Sequence, residues 1–157
     1  MTVVAFRDGV MASDSAVTTG DEFFCTTQKL FRAKDGSIAG FTGNLSQMGT
    51  FKRWFEESYP EVEVPKMGGT WETLIVHPDL SMWWTNGKGL LVEIKGQSMT
   101  IGSGGMWAKG ALEAGATPAQ AVQVAIDYNT ACRGPIQIMQ LEQPNPRPKK
   151  KRAPKGP

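Results

Sequence analysis

Short runs of apolar residues, separated by turn signals, dominate the first third of the chain. Residues 3–6 and 10–12 are β-branched and apolar, and Arg7-Asp8-Gly9 between them is a hairpin signal. A three-residue loop with Gly9 in the left-handed region sets Thr2 opposite Asp14. A two-residue loop, Asp8-Gly9, sets it opposite Ser15. Either register carries the start of the chain beside Ser13-Asp14-Ser15. Residues 23–31 read as a strand region, and Lys34-Asp35-Gly36 is a second hairpin signal leading into residues 37–41. That hairpin puts Lys29 opposite Phe41 or Thr42, next to Gly43. Beyond Gly43 the period becomes helical: Leu45, Met48, Phe51, Lys52, Trp54 and Phe55 predict a helix over 44–58, ended by Tyr59-Pro60.

Residues 61–69 read as a linker. Strands follow at 71–76, 80–84 and 90–94, divided by His77-Pro78-Asp79 and by Asn86-Gly87, and a short strand at 98–101 runs into Gly102-Ser103-Gly104-Gly105. A helix over 106–114 closes at Gly115. The next opens with Thr117 as N-cap and Pro118 at its first position, and Ala121, Val122, Ala125, Ile126 and Tyr128 give it an apolar face. Residues 136–141 alternate as a last strand. The order predicts an α+β domain in which two antiparallel sheets pack together under helices.

The 157 residues suggest one domain, long enough to bury a core without disulfides or metals. Its two cysteines, Cys25 and Cys132, form no CxxC, no signal peptide is recognisable, and no apolar run reaches a membrane span. A cytoplasmic protein with reduced thiols is expected. The net charge of +2 is uneven: residues 144–157 hold six cations and no acid, which leaves the body near −4. We therefore expect a domain over 1–143 and a disordered Pro/Lys-rich tail over 144–157. The body has no basic footprint for nucleic acid, so only the run from Lys149 to Arg152 offers a polyanion site, and a solvated tail is the simpler reading of it.

Thr2 follows the initiator methionine, and methionine aminopeptidases remove Met1 before a small residue. The exposed threonine would carry a hydroxyl and an α-amine, and such an amine titrates near ~7.7–8.0, so it can accept the hydroxyl proton at neutral pH. A Met-Thr start has little weight alone. With Ser13-Asp14-Ser15, Lys29, Phe41-Thr42-Gly43 and Gly102-Ser103-Gly104-Gly105 in this order and spacing, the chain resembles the proteasome β-subunit family, and HslV-like members above all. The likeness runs through residues 2–14, 29–31, 38–43 and 101–126 and covers most of 2–141.

The resemblance implies a four-layer αββα N-terminal nucleophile hydrolase that cleaves peptide bonds. It implies Thr2 as nucleophile, Lys29 as the buried ammonium beside it and Asp14 as the carboxylate paired with that lysine. The Gly43 N–H would be the oxyanion donor, and the Ser103 hydroxyl would act near the Thr2 amine. Val17, Thr27, Phe31, Phe41 and Leu45 match its specificity pocket, so an apolar residue is expected before the scissile bond. The family implies a homo-oligomeric ring acting on unfolded polypeptide, no cofactor, and an ATPase unfoldase as possible partner. Two departures stand out. Residues 59–70 are too short and too rich in Pro and Gly for the family's second long helix, which weakens the case for an unfoldase. Thr130 stands where an aspartate is common.

Rival readings are a non-peptidase amidase of the same fold and an inactive assembly protein. No His, Cys and carboxylate cluster has metal-ligand spacing, and the glycines at 102–105 lack a P-loop lysine. His77, the lone histidine, stands before Pro78 without a nucleophile elbow to serve.

Overall fold

The computed structural model describes residues 2–88 and 90–142. Met1 and the basic tail expected over 144–157 lie outside the described residues.

Strands β1 (Val4–Arg7) and β2 (Val10–Ser13) form the first hairpin. Val4 pairs with Ser13 and Arg7 with Val10, which is the two-residue register. The turn residues Asp8 and Gly9 take φ of 49° and 78°, the doubly left-handed geometry that matches strand twist and favours Asp-Gly. With β10 (Ser98–Ile101) and β11 (Gln137–Gln140) they make a four-stranded antiparallel sheet in the order β10-β1-β2-β11.

The second sheet has five antiparallel strands in chain order: β5 (Leu30–Arg32), β6 (Ile38–Thr42), β7 (Glu72–Val76), β8 (Met82–Thr85) and β9 (Val92–Ile94). Leu30 pairs with Gly40, and the Phe41 N–H donates to the Lys29 carbonyl at 3.1 Å, so Lys29 lies opposite Phe41 as the hairpin predicts. The expected strand region at 23–31 is instead two strands, β4 (Glu22–Thr26) and β5, with residues 27–29 between them. β4 pairs with β3 (Ala16–Thr19), an element the sequence reading lacked, and together they make a separate two-stranded ribbon.

Among the described residues, three helices complete the fold: α1 (Leu45–Glu57), α2 (Gly105–Glu113) and α3 (Pro118–Tyr128). α1 opens with a capping box. The Asn44 side chain accepts from the Gln47 N–H at 2.9 Å, and the Gln47 side chain accepts from the Asn44 N–H at 3.1 Å. α3 has the same device at Thr117 and Gln120, with Pro118 in the first turn. Among the described residues, no helix or strand lies between α1 and β7, in keeping with the missing second helix.

Three apolar cores hold these elements. The first joins α1 to β5–β7 around Phe51, whose ring stacks on Phe41 at 5.0 Å and on Phe55 at 5.5 Å. The second lies between the sheets and contains Val4, Phe6, Met11, Leu30, Ile38, Leu74 and Ile101. The third packs Val3, Ala5 and Ala12 against Ala108, Leu112, Ala121, Val122 and Ala125 of α2 and α3. Each sheet is thus covered on both faces, which explains the near-continuous burial of β6 and β7. No helix of the described residues is long and apolar enough to cross a membrane.

Candidate active site

The hairpin registers bring the start of β1, the loop after β2 and the residue before β5 to one point. There Thr2, Asp14 and Lys29 are all buried, at 2%, 0% and 2% exposure. The Thr2 hydroxyl donates to Asp14 Oδ1 and accepts from Lys29 Nζ. The lysine ammonium also donates to Asp14 Oδ1 at 3.0 Å and to the Ala16 carbonyl at 2.5 Å. Burial lowers the Lys29 pKa, while the charge of Asp14 and its hydrogen bond pull it back up.

Asp14 is held from every side. Its Oδ1 also accepts from the Val3 N–H at 3.1 Å, and its Oδ2 accepts from the N–H groups of Ala16 and Arg133, each at 3.2 Å. An isolated buried carboxylate would be very costly, and five donors are what make it tolerable. The backbone of Arg133 thus reaches the site, its N–H at Asp14 and its carbonyl accepting from the Ser15 N–H at 2.9 Å. Thr130 itself is exposed, and Asn129 closes the turn by accepting from the Ala131 N–H at 3.0 Å.

The glycine-rich turn wraps the backbone of Thr2. The Gly104 N–H donates to the Thr2 carbonyl at 3.3 Å. Gly102 has φ of +92°, and a Cβ on it would lie 2.0 Å from the Thr2 carbonyl oxygen, so no side chain fits there. Ser103 Oγ is buried and, with Ser13 Oγ, has no hydrogen-bond partner among the described residues. The turn is tied to the other sheet by Glu72 at the head of β7. Its Oε1 accepts from the Gly102 N–H at 2.8 Å and its Oε2 from the Trp84 indole at 3.1 Å.

Two clefts meet at Thr2, Thr18, Gly43 and Asn44. The first, about 220 Å³, is also lined by Lys29, Val17, Phe24, Phe41, Leu45 and Met48. The second, about 650 Å³, holds Trp71, Glu72, Trp84, Asn86 and Ser103. Of the expected pocket residues, Val17, Phe41 and Leu45 line the first cleft. Phe31 does not: it is 1% exposed and packs beneath α1. Nor does Thr27, whose N–H donates to the Ser15 carbonyl and whose own carbonyl accepts from Gln137. Phe24 and Met48 were missed. Phe24 belongs to the unpredicted ribbon; Met48, one helical turn after Asn44, was legible from the period of α1. Glu72 was also missed, because its place depends on the pairing of Thr42 with Glu72 across thirty residues of chain. Among the described residues, no group of three or more His, Cys, Asp or Glu could hold a metal ion.

The fold is similar to that of solved proteasome-like chains. The BPH of Thiobacillus denitrificans superposes with a TM-score of 0.66 over 90% of this chain and 98% of that one, at 17% identity. The same protein in complex with epoxomicin gives 0.61 over 90% and 98%, at 16% identity. Eukaryotic HslV from Trypanosoma brucei gives 0.59 over 88% and 98%, at 17% identity. No family model matches the chain, and no curated protein matches it. The likeness is one of fold: an α+β chain of antiparallel sheets and three helices with the proteasome/HslV architecture.

Proposed function

We propose that this chain is a threonine peptidase of the HslV/proteasome-β kind, a four-layer αββα domain that acts on unfolded polypeptide within a homo-oligomeric ring. The observation that carries the reading is the Thr2 hydroxyl, held between a buried ammonium and a buried carboxylate where two clefts meet. A purely structural threonine has no need of a desolvated ion pair, since apolar residues of similar volume often serve stability as well.

The chemistry requires removal of Met1, which converts the Thr2 amide nitrogen into an α-amine. Thr2 Oγ then attacks the peptide carbonyl carbon, and its proton passes to that amine. Lys29 keeps its proton and stabilises the developing alkoxide, and Asp14 keeps Lys29 from being an uncompensated charge. The oxyanion is received by the Gly43 N–H, at a step where one donor contributes roughly 3–4 kcal/mol. The amine returns the proton to the leaving nitrogen as the C–N bond breaks. Water, deprotonated by the same amine, hydrolyses the threonyl ester. The buried, unpartnered Ser103 hydroxyl sits in the turn that wraps Thr2 and supplies a partner for the new amine.

The first cleft takes the residue before the scissile bond, and Val17, Phe24, Phe41, Leu45 and Met48 favour an apolar one. Ring assembly is supported by large apolar side chains left in solvent on the isolated chain, with Met106 87% and Leu90 82% exposed and Trp107 stacked on Tyr128 at 5.2 Å.

The test is hydrolysis of an unfolded polypeptide by the wild type and by Thr2→Ala, with sedimentation velocity on both. Cleavage after apolar residues by a ring-sized wild-type particle, absent in a Thr2→Ala particle of the same size, is expected. Equal hydrolysis by both proteins would sink the reading.

A further inference from the structure

The two clefts that meet at Thr2 differ in charge. Among the described residues lining the first, the one charged group is Lys29; among those lining the second, it is Glu72. Glu72 is half-buried and forms no ion pair within the described residues. Its two oxygens each accept one neutral hydrogen bond, from the Gly102 N–H and the Trp84 indole, so half of its acceptor capacity remains. The half-buried indole of Trp84, which donates to Glu72, lies on the same cleft wall, and an indole face attracts a cation. A half-buried carboxylate with spare lone pairs beside an indole, unpaired with any cation among the described residues, is a site for an ammonium or guanidinium group.

We propose that the second cleft is a binding site for a lysine or arginine side chain, carried by the residue that follows the scissile bond. The assignment to that residue rests on the peptidase reading above. The acyl side of the substrate occupies the first cleft, whose walls are largely apolar and whose one cation is already paired with Asp14. The leaving side then falls in the second, beside Ser103 and Glu72. Preferred cleavage is therefore between an apolar and a basic residue. Glu72 has a double role, because the carboxylate that receives the cation also anchors the turn behind Thr2.

The test uses two fluorescein-labelled octapeptides, alanine throughout except for leucine at the fourth position and lysine or glutamate at the fifth. Binding is measured by anisotropy on the full chain carrying Thr2→Ala, so no turnover is needed. The account predicts roughly ten-fold tighter binding of the lysine peptide at low salt, the effect of one charge-assisted contact in a half-buried cleft. Glu72→Gln retains a carbonyl oxygen for the Gly102 N–H and removes the charge; it should bring the ratio close to one. Because a ratio of two peptides on one protein is read, a general loss of affinity cancels. Asn86→Lys, which places a cation in the same cleft, should abolish the preference while leaving Glu72 in place, and it serves if Glu72→Gln does not fold. Equal binding of the two peptides, no measurable binding of either, or a lysine preference that survives both variants would overturn the proposal.

Adduct formation with a peptidyl epoxyketone, measured separately on the wild type, reports on Thr2. An adduct without the lysine preference overturns the cation site and supports the nucleophile. A lysine preference without an adduct supports the cation site and overturns the nucleophile.

Discussion

Asp14→Asn is the substitution whose cost the structure defines best. The amide would keep the volume of the side chain and one acceptor oxygen, but Lys29 would lose its one anionic partner among the described residues. Its remaining acceptors, the Thr2 hydroxyl, the Ala16 carbonyl and the amide oxygen, would all be neutral. Breaking a buried pair by removing one partner costs about 3–5 kcal/mol, a large part of the ~5–15 kcal/mol that holds a domain folded. The converse change, Lys29→Met, is milder. It leaves the carboxylate with four donors: the Thr2 hydroxyl and the N–H groups of Val3, Ala16 and Arg133. We expect a loss of about 4 kcal/mol for Asp14→Asn and about 2 kcal/mol for Lys29→Met at pH 7, the difference being one or two hydrogen bonds to a charge.

Urea unfolding at one protein concentration measures both, with a fall in midpoint on the order of 2 M for Asp14→Asn. The pH dependence supplies a second signature. Burial already lowers the Lys29 pKa, and without Asp14 nothing of comparable strength pulls it back. The folded variant then binds fewer protons than the unfolded chain between its lowered pKa and the ordinary lysine value of 10.5. Its stability therefore rises with pH through that window, and the gap to the wild type narrows. If Lys29→Met costs as much as Asp14→Asn, or the gap stays constant up to about pH 10, near the ordinary lysine range, the electrostatic account of the cluster is wrong.

Three further outcomes follow from local geometry. Gly102→Ala drives a methyl group into the Thr2 carbonyl at a left-handed φ; we expect more than about 2 kcal/mol of destabilisation in urea and loss of peptide hydrolysis even where the variant remains folded. Asn44→Ala removes the cap of α1 beside Gly43 and should cost about 1 kcal/mol in the same measurement, against no change if the helix start is fixed by packing alone. Burial raises the Cys132 thiol to about 11, so iodoacetamide at about pH 8 should add one label per native chain, at the half-exposed Cys25, with the second appearing only on unfolding; equal labelling of both would contradict the packing around Cys132.

Much of the site was legible because its parts are set by local rules. Asp8-Gly9 and Lys34-Asp35-Gly36 fix two hairpins, and the hairpins alone bring Lys29 and the Ser13–Ser15 stretch towards Thr2. The choice between Asp14 and Ser15 was left open by the sequence, and strand register alone does not decide it. The register favours Ser15 opposite Thr2, yet the side chain that meets the Thr2 hydroxyl is that of Asp14, turned in by donors from Ala16 and Arg133. Non-local pairing was not legible. Phe31 was assigned to the pocket by resemblance, but β5 is covered on both faces, and Leu30 and Phe31 enter different cores. The β3–β4 ribbon, which supplies Val17, Thr18 and Phe24, has exposed and half-exposed residues without clean alternation, so its two strands merged with their surroundings. Asn44, which follows Gly43, caps α1.

The central claim is that Thr2 becomes a nucleophile with its own amine as base. The most direct test is the intact mass of the purified protein before and after a peptidyl epoxyketone, whose stable ring adduct requires a nucleophilic hydroxyl and an adjacent free amine. The account predicts loss of Met1 and one adduct per chain, absent in Thr2→Ala. A chain that keeps Met1, or one that loses it and forms no adduct, would contradict the account.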